Sequence, residues 1–275
     1  MTGAVRAELL VLRKRTSSWI LLGIWSALAL VFAYVVPYVS YLDDSGQEPL
    51  ADLLPHELVG SLMGGFPFFG GVLALMLGVL AFGSEYGWGT LKTLFTQQPG
   101  RLRVFGAKLI ALAIGLVPFV FVVFGLGALA SYAIALREGA EVAWPSAWLL
   151  LRGLAAGWLI LAVWAAFGVV LAVLSRGTAL ATGIGILYAL VIEGLLSALA
   201  GEVSLLDRVV EFFLRANAYS LVTALGVPAD DVANNGPGSF SGPFVGAAQA
   251  SLVLGVYAAA FLLLAGWLLR RRDVA

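Results

Sequence analysis

The residues whose types and spacing suggest chemistry are concentrated in one polar, basic stretch between two long uncharged runs, Phe82 to Lys108. A carboxylate, Glu85, stands at the end of the first run, and a glycine-rich turn follows it. A short segment of helical composition, Thr90 to Thr96, precedes a Pro-Gly break, which four cations surround: Lys92, Arg101, Arg103 and Lys108. Because Glu85 stands near the first two of these and beside a helix start, we expect it to be charge-paired or dipole-stabilised, not catalytic.

The simplest alternative is an ordinary loop whose cations only set membrane topology. That reading explains the cations but not the ordered series of carboxylate, glycines and threonine. Thr90 is a favourable N-cap residue for the helical segment after it. The pattern therefore favours an element that docks onto a partner protein.

The sequence contains partial matches to catalytic motifs, but each lacks a residue that the motif requires. The nearest approach to a P-loop, Gly87 to Thr93, has Leu91 where the glycine before the lysine is required. His56-Glu57 begins like a zinc-protease motif but reaches Gly60 where the second histidine belongs. One histidine and no cysteine are too few for a His- or Cys-ligated metal site, and no nucleophile elbow accompanies the histidine. We expect no catalytic, cofactor or metal site in this chain.

Glu193 interrupts an otherwise apolar run in its outer third, and an intramembrane carboxylate is a functional candidate by default. Two interpretations stay open. Glu193 lines a substrate path, or it reaches the outer interface, where it is solvated or pairs with Arg208 or Arg215. The second is favoured because the free energy of burying a charge falls toward the interface.

Composition identifies the class of protein. The 275 residues are 61% hydrophobic and 12% charged, and the mean hydropathy is +0.99. Soluble domains carry about twice that charged fraction, so the composition indicates a polytopic membrane protein. A formal net charge of zero argues against nucleic acid as a partner.

Hydropathy predicts an all-α protein with six transmembrane helices in a single domain, residues 1–275. The predicted spans are Trp19–Tyr38, Phe66–Gly83, a span within Leu109–Leu136 kinked near Gly115 and Pro118, Trp148–Leu174, Ala179–Ala200 and Phe244–Leu269. Glycines and Pro67 predict an irregular start to the second span, and the GxxxG pair Gly153 and Gly157 predicts close helix packing in the fourth.

Segments outside the spans have their own patterns. Met1 to Ser18 predicts an amphipathic interfacial helix, with a basic topology-setting tail as the alternative. Residues 201–243 predict a part-helical outer excursion before the last span. Within it, Ser204 to Ala224 predicts an amphipathic helix that lies in the outer interface or dips part-way into the membrane, with Glu211 and Arg215 as an i,i+4 pair.

The positive-inside rule places both termini in the cytoplasm. Six spans with inner termini put twelve cations inside and four outside, the four being Arg137, Arg152, Arg208 and Arg215.

The segment SEYGWGTLKTLFTQQPGRLRVFGAKLIA, which begins at Ser84, resembles the inner loop of permease subunits of type-2 ATP-binding-cassette exporters. The matching features are the carboxylate Glu85, the Gly89-Thr90 helix start, and Arg101 and Lys108 leading into the third span. The resemblance is nearest to bacterial drug and antibiotic-immunity exporters, and the rest of the chain is consistent with it along its length.

The resemblance implies that residues 85–101 form a cytoplasmic coupling loop for a separate ATPase subunit, which would hold ATP and Mg²⁺. The implied coupling residues are Glu85, Tyr86, Gly87, Gly89, Thr90, Leu91, Lys92 and Arg101. It further implies a second permease copy, a homodimer being the simplest case, surrounded by lipid in a bacterial plasma membrane.

The resemblance also implies ATP-driven export of hydrophobic or amphipathic substrates along a path between the second and fifth spans and their partner copies. Candidate lining residues are Phe66, Phe68, Phe69 and Glu193. The alternative is an ion-coupled secondary transporter, which should show midplane ionisable residues and discontinuous helices. An intramembrane lipid enzyme would need a catalytic pair at one depth, and the sequence shows none.

Overall fold

The computed structural model describes residues 2–43, 49–87, 101–199, 208–234, 240 and 242–271, most of which are helical, with no strand among them. Six helices are long and apolar enough to cross a membrane: span 1, Thr16–Leu42; span 2, Phe66–Tyr86; span 3, Leu102–Glu138; span 4, Ala147–Ser175; span 5, Ala179–Ser197; and span 6, Ala247–Arg271. The predicted all-α, six-span architecture is confirmed. An even number of spans brings both chain ends to one end of the bundle, called here the terminal end.

Span 3 consists of two helices, Arg101–Gly115 and Val117–Glu138, separated at Leu116. Pro118 lies in the first turn of the second helix, where its missing N–H leaves no helical hydrogen bond unmade. The predicted kink is confirmed. At 37 residues the span is roughly 55 Å long, so its basic first turns extend beyond a hydrocarbon core of about 30 Å.

Spans 2 and 4 form the centre of the bundle. A Cβ atom on Gly78 would lie 2.1 Å from the carbonyl oxygen of Ala165, and one on Gly168 would lie 2.2 Å from that of Leu75. The two backbones are therefore in direct contact, and only glycine fits at either position. The predicted packing at the GxxxG pair is also confirmed, since a Cβ on Gly157 would lie 2.7 Å from Phe66.

The start of span 2 is irregular, as predicted. Phe66–Gly70 forms a π-helical turn that follows a short helix, Leu58–Met63. Trp25 of span 1 packs edge-on against the Phe66 ring with centroids 5.1 Å apart, and its indole N–H donates to the carbonyl of Phe119 at 3.2 Å. These contacts join spans 1, 2 and 3 around a buried aromatic pair.

The N-terminal helix is Thr2–Lys14, shorter than the predicted Met1 to Ser18, because Thr16 already begins the helix of span 1. Its half-buried side includes Val5, Leu9 and Leu12, whereas Leu10 and Val11 are exposed. The half-buried side lies against the first helix of span 3. The helix is thus fixed to the bundle at the terminal end.

The excursion helix, Leu214–Thr223, differs from the predicted continuous helix over Ser204 to Ala224. Residues 211–213 form a turn, Phe213 is extended, and residues 204–207 lie outside the described part of the chain. The predicted i,i+4 pair of Glu211 and Arg215 is wrong because the two residues do not share a helix. Residues 214–222 are all buried against span 6 and the start of span 2, so the helix lies inside the bundle at the end opposite the termini.

Candidate functional site

A buried cation connects three elements at the terminal end of the bundle. Lys108 of span 3 donates to the Glu8 carboxylate of the N-terminal helix at 2.8 Å, and it also forms an ion pair with Glu85 at the end of span 2. The three side chains are 6%, 15% and 12% exposed, respectively. We call Glu8, Glu85 and Lys108 the terminal cluster.

Removing Lys108 from the terminal cluster would take away the ammonium that both carboxylates contact. The Lys108 ammonium lies 5.7 Å from the centroid of the Phe82 ring, and Phe82 packs edge-on against Phe105 at 5.4 Å. The surroundings of the ammonium group are therefore partly aromatic and apolar. Breaking a buried ion pair from one side is strongly destabilising for this reason.

Arg15, between the N-terminal helix and span 1, provides a second connection. Its guanidinium donates to the Leu80 carbonyl at 2.6 Å and to the Ser84 hydroxyl oxygen at 2.8 Å. Span 2 is therefore held to the N-terminal segment by two independent charged groups, Arg15 and the terminal cluster.

The end of span 2 also touches the turn between spans 4 and 5. A Cβ on Gly83 would lie 2.9 Å from the Thr178 methyl group and 3.0 Å from the Gly177 carbonyl oxygen. Arg176, in the same turn, adopts the left-handed conformation with φ of 55°. A displacement of the end of span 2 would therefore displace the turn that joins spans 4 and 5.

The structure accounts for only part of the predicted coupling set. Glu85, Tyr86 and Gly87 end the helix of span 2, and the backbone of Arg101 begins the helix of span 3. Gly89, Thr90, Leu91 and Lys92 lie outside the described residues. Glu85 is charge-paired as expected, but the partner that the structure gives it is Lys108.

Sequence reasoning missed Glu8 and Arg15. Glu8 is the one acidic residue of the N-terminal helix, and it lies on the same side of that helix as Val5, Leu9 and Leu12. A lone carboxylate on the apolar side of a basic helix indicates a buried ion pair, because a carboxylate buried there requires a cation as its partner.

At the opposite end, the carboxylate of Glu193 caps the excursion helix. It accepts the backbone N–H groups of Leu214 at 3.0 Å and Arg215 at 3.1 Å, and the Tyr188 hydroxyl donates to it at 2.8 Å. Helix N-termini present unpaired N–H groups and a partial positive charge, which a carboxylate satisfies. The expectation of a solvated Glu193 is wrong, because the residue is 0% exposed.

Arg215 follows the capped position and is itself buried. Its guanidinium lies 5.2 Å from the ring centroid of Phe68, 5.6 Å from that of Tyr219 and 5.9 Å from that of Phe240. Cation–π contacts with three rings stabilise a desolvated guanidinium. Glu193 and Arg215 together fix the excursion helix to spans 5 and 2.

A cavity of about 520 Å³ opens beside the excursion helix. Its walls come from the second half of span 1, from residues 52–69 and from residues 219–232. Phe68 and Phe69 line it, and their part in a substrate path stays a prediction. Phe66 is instead packed among Trp25, Phe124 and Gly157, and Glu193 is not among the lining residues.

Among the described residues, no three His, Asp or Glu side chains are placed to hold a metal ion together. No curated protein matches the sequence significantly. The profile of one protein family, described as ABC-2 family transporter protein, matches residues 4–192, which include the terminal cluster and spans 1 to 4. That match covers more than half of the chain. The chain therefore belongs to the ABC-2 transporter family and is a multi-pass membrane component of an ABC transporter.

Proposed function

We propose that this chain is the membrane subunit of an ATP-driven exporter of hydrophobic or amphipathic substrates such as drugs, peptide antibiotics or lipid-like molecules. A separate ATPase subunit, the kind of partner with which ABC-2 permeases work, binds and hydrolyses ATP. Residues 85–101 transmit the movement of that subunit to the spans.

The observation that carries this proposal is the terminal cluster. Glu85 and Lys108 flank the segment 88–100, and their ion pair joins the two ends of that segment inside a buried site. Glu8 and Arg15 extend the connection to the N-terminal helix and span 1. A force on the segment would therefore move spans 1, 2 and 3 together as a rigid body, which is how a partner's closure shifts a two-state equilibrium.

The orientation follows from charge. Twelve of the sixteen cations fall on the side of the termini, so we place that side in the cytoplasm of a bacterial cell. Spans 1, 5 and 6 are the least buried, with 28%, 22% and 28% of their apolar windows inside the chain. These faces are available to lipid and to a second copy of the chain, and we propose a homodimer.

Co-expression with a candidate ABC ATPase tests the proposal. The two proteins should co-purify, and the permease should stimulate ATP hydrolysis in proteoliposomes. Glu85→Ala and Gly89→Pro should abolish the stimulation, whereas Glu141→Ala, at an exposed acid far along the chain, should preserve it. Proton-driven substrate uptake by the purified chain alone would overturn the proposal in favour of an ion-coupled transporter.

A further inference from the structure

The cavity beside the excursion helix has the size of a small-molecule site. Its volume of about 520 Å³ lies within the range of about 300–1,000 Å³ usual for ligand pockets. Three separate parts of the chain enclose it. It is therefore a product of the tertiary fold and not a gap within one loop.

Aromatic rings form much of its apolar surface. Phe32 of span 1 stacks on Phe69 with centroids 5.0 Å apart, and Phe68 meets Phe69 edge-on at 5.0 Å. Tyr219 of the excursion helix contributes from the facing wall. Phe32 is 40% exposed and Val36 is 49% exposed, so the cavity is reached from the apolar surface of span 1.

The polar lining is acidic. Asp52 and Glu57 are the charged lining residues, and no Lys, Arg or His lines the cavity in the described part of the chain. The Ser61 hydroxyl oxygen lies 2.8 Å from the backbone carbonyl oxygen of Asp52 and 3.0 Å from that of Glu57, and its one proton is shared between them. It thereby holds together the two segments that carry the carboxylates while leaving the carboxylates free for a ligand.

The surroundings reinforce this sign of charge. Neither Asp52 nor Glu57 forms an ion pair with another described residue. Two further acids, Asp43 and Asp230, stand close along the chain to the lining segments. Arg215 contacts the rings of Phe68 and Tyr219 but is not a lining residue, and the nearby Glu193 carboxylate offsets its charge.

We propose that this cavity binds a hydrophobic organic cation. The apolar part of the ligand lies against Phe32, Phe68, Phe69 and Tyr219, and the cationic centre lies beside Asp52 and Glu57. Aromatic faces and carboxylates both favour a cation whose charge is shielded by carbon, because such an ion loses little hydration on entering. The assignment of this cavity as a transport site rests on the proposed function. It limits the proposed hydrophobic or amphipathic substrates to cations.

Tetraphenylphosphonium and tetraphenylborate test the proposal, since they share shape and hydrophobicity but differ in sign of charge. The purified full chain in neutral-lipid nanodiscs should bind the phosphonium saturably in equilibrium dialysis and the borate at least about tenfold more weakly. The double substitution Asp52→Asn/Glu57→Gln should weaken phosphonium binding by about tenfold and narrow the difference between the two ions. Glu141→Gln, which neutralises an exposed acid outside the lining, should change neither.

Equal binding of both ions by the unaltered chain would overturn the proposal without any variant. Unchanged phosphonium binding in a double variant that elutes and unfolds like the parent would overturn it as well. Should the double variant not fold, Asp52→Asn and Glu57→Gln are measured singly, and two unaffected variants have the same consequence. The assay contains no ATPase, so a failure here leaves ATPase co-purification intact, and loss of co-purification leaves cation binding intact.

Discussion

Glu193 and Leu214, twenty-one residues apart, are joined by a hydrogen bond of 3.0 Å from the Leu214 backbone N–H to the Glu193 carboxylate. The bond connects the far half of span 5 to the first residue of the excursion helix. That helix carries Tyr219, which lines the cavity. A carboxylate within a span therefore supports a cavity wall without facing the cavity.

Replacing Glu193 should show this supporting role as a loss of stability. Glu193→Leu leaves the N–H groups of Leu214 and Arg215 buried without acceptors, at a cost of about 1–3 kcal/mol each. Glu193→Gln retains one acceptor oxygen and should have a smaller effect. We expect the apparent unfolding temperature in detergent to fall in the order parent, Gln variant, Leu variant.

Glu141→Gln is the matched control for this series, because Glu141 is exposed and should tolerate the change. The ordering also separates the two interpretations of Glu193. If both variants unfold like the parent while transport is lost, Glu193 acts on the substrate path and not as a cap.

The terminal cluster gives a second prediction. Lys108→Met removes the ammonium that pairs with both the Glu8 and the Glu85 carboxylates, which should cost about 3–5 kcal/mol. The triple variant Glu8→Gln/Glu85→Gln/Lys108→Met removes all three charges and should recover much of that stability. Thermal unfolding of the two purified variants measures the difference.

Recovery of stability should not restore coupling if the cluster transmits force. The triple variant should therefore be nearly as stable as the parent yet show reduced permease-stimulated ATP hydrolysis. Arg103→Met, which removes an exposed neighbouring cation, is the control. A Lys108→Met variant as stable as the parent would contradict the buried ion pair.

Backbone contact between spans 2 and 4 gives a third prediction. Gly78→Ala and Gly168→Ala would each place a methyl group within about 2.2 Å of a carbonyl oxygen, so the helices must separate. We expect either variant to reduce the yield of folded protein several-fold, as measured by fluorescence-detected size-exclusion chromatography. Gly125→Ala and Gly255→Ala, where a Cβ would meet nothing within 4 Å, should accumulate like the parent.

The sequence predicted the structural features that depend on one continuous segment of the chain. The spans follow from runs of apolar residues, and the break in span 3 follows from Gly115 and Pro118, because each is a property of consecutive residues. The pairing of Lys108 with Glu8 joins residues one hundred positions apart, and no local pattern specifies which carboxylate a cation meets.

Two further features escaped prediction for related reasons. The Glu193 carboxylate binds backbone N–H groups, which every residue except proline carries, so no residue type marks its partner. The backbone contact at Gly78 and Gly168 involves single glycines on two helices and not a repeated motif, and the chain has 33 glycines. Only the fold selects those two.

The orientation of the chain can be measured cleanly because the sequence has no cysteine. Single cysteines at exposed Lys14, at Gln97 within the proposed coupling segment and at exposed Glu141 supply the three positions. With cytoplasmic termini, a membrane-impermeant maleimide should label Glu141→Cys in intact cells, and should label Lys14→Cys and Gln97→Cys only after permeabilisation.

Twelve cations on the side of the termini resist translocation across the membrane. Labelling of Gln97→Cys in intact cells would place the segment 88–100 outside, where no ATPase can reach it, and the proposed coupling would be wrong. Labelling of Glu141→Cys only after permeabilisation would likewise contradict the proposed orientation. The Arg13→Cys variant repeats the test at a second exposed residue of the N-terminal helix, so that one poorly reactive position does not decide the result.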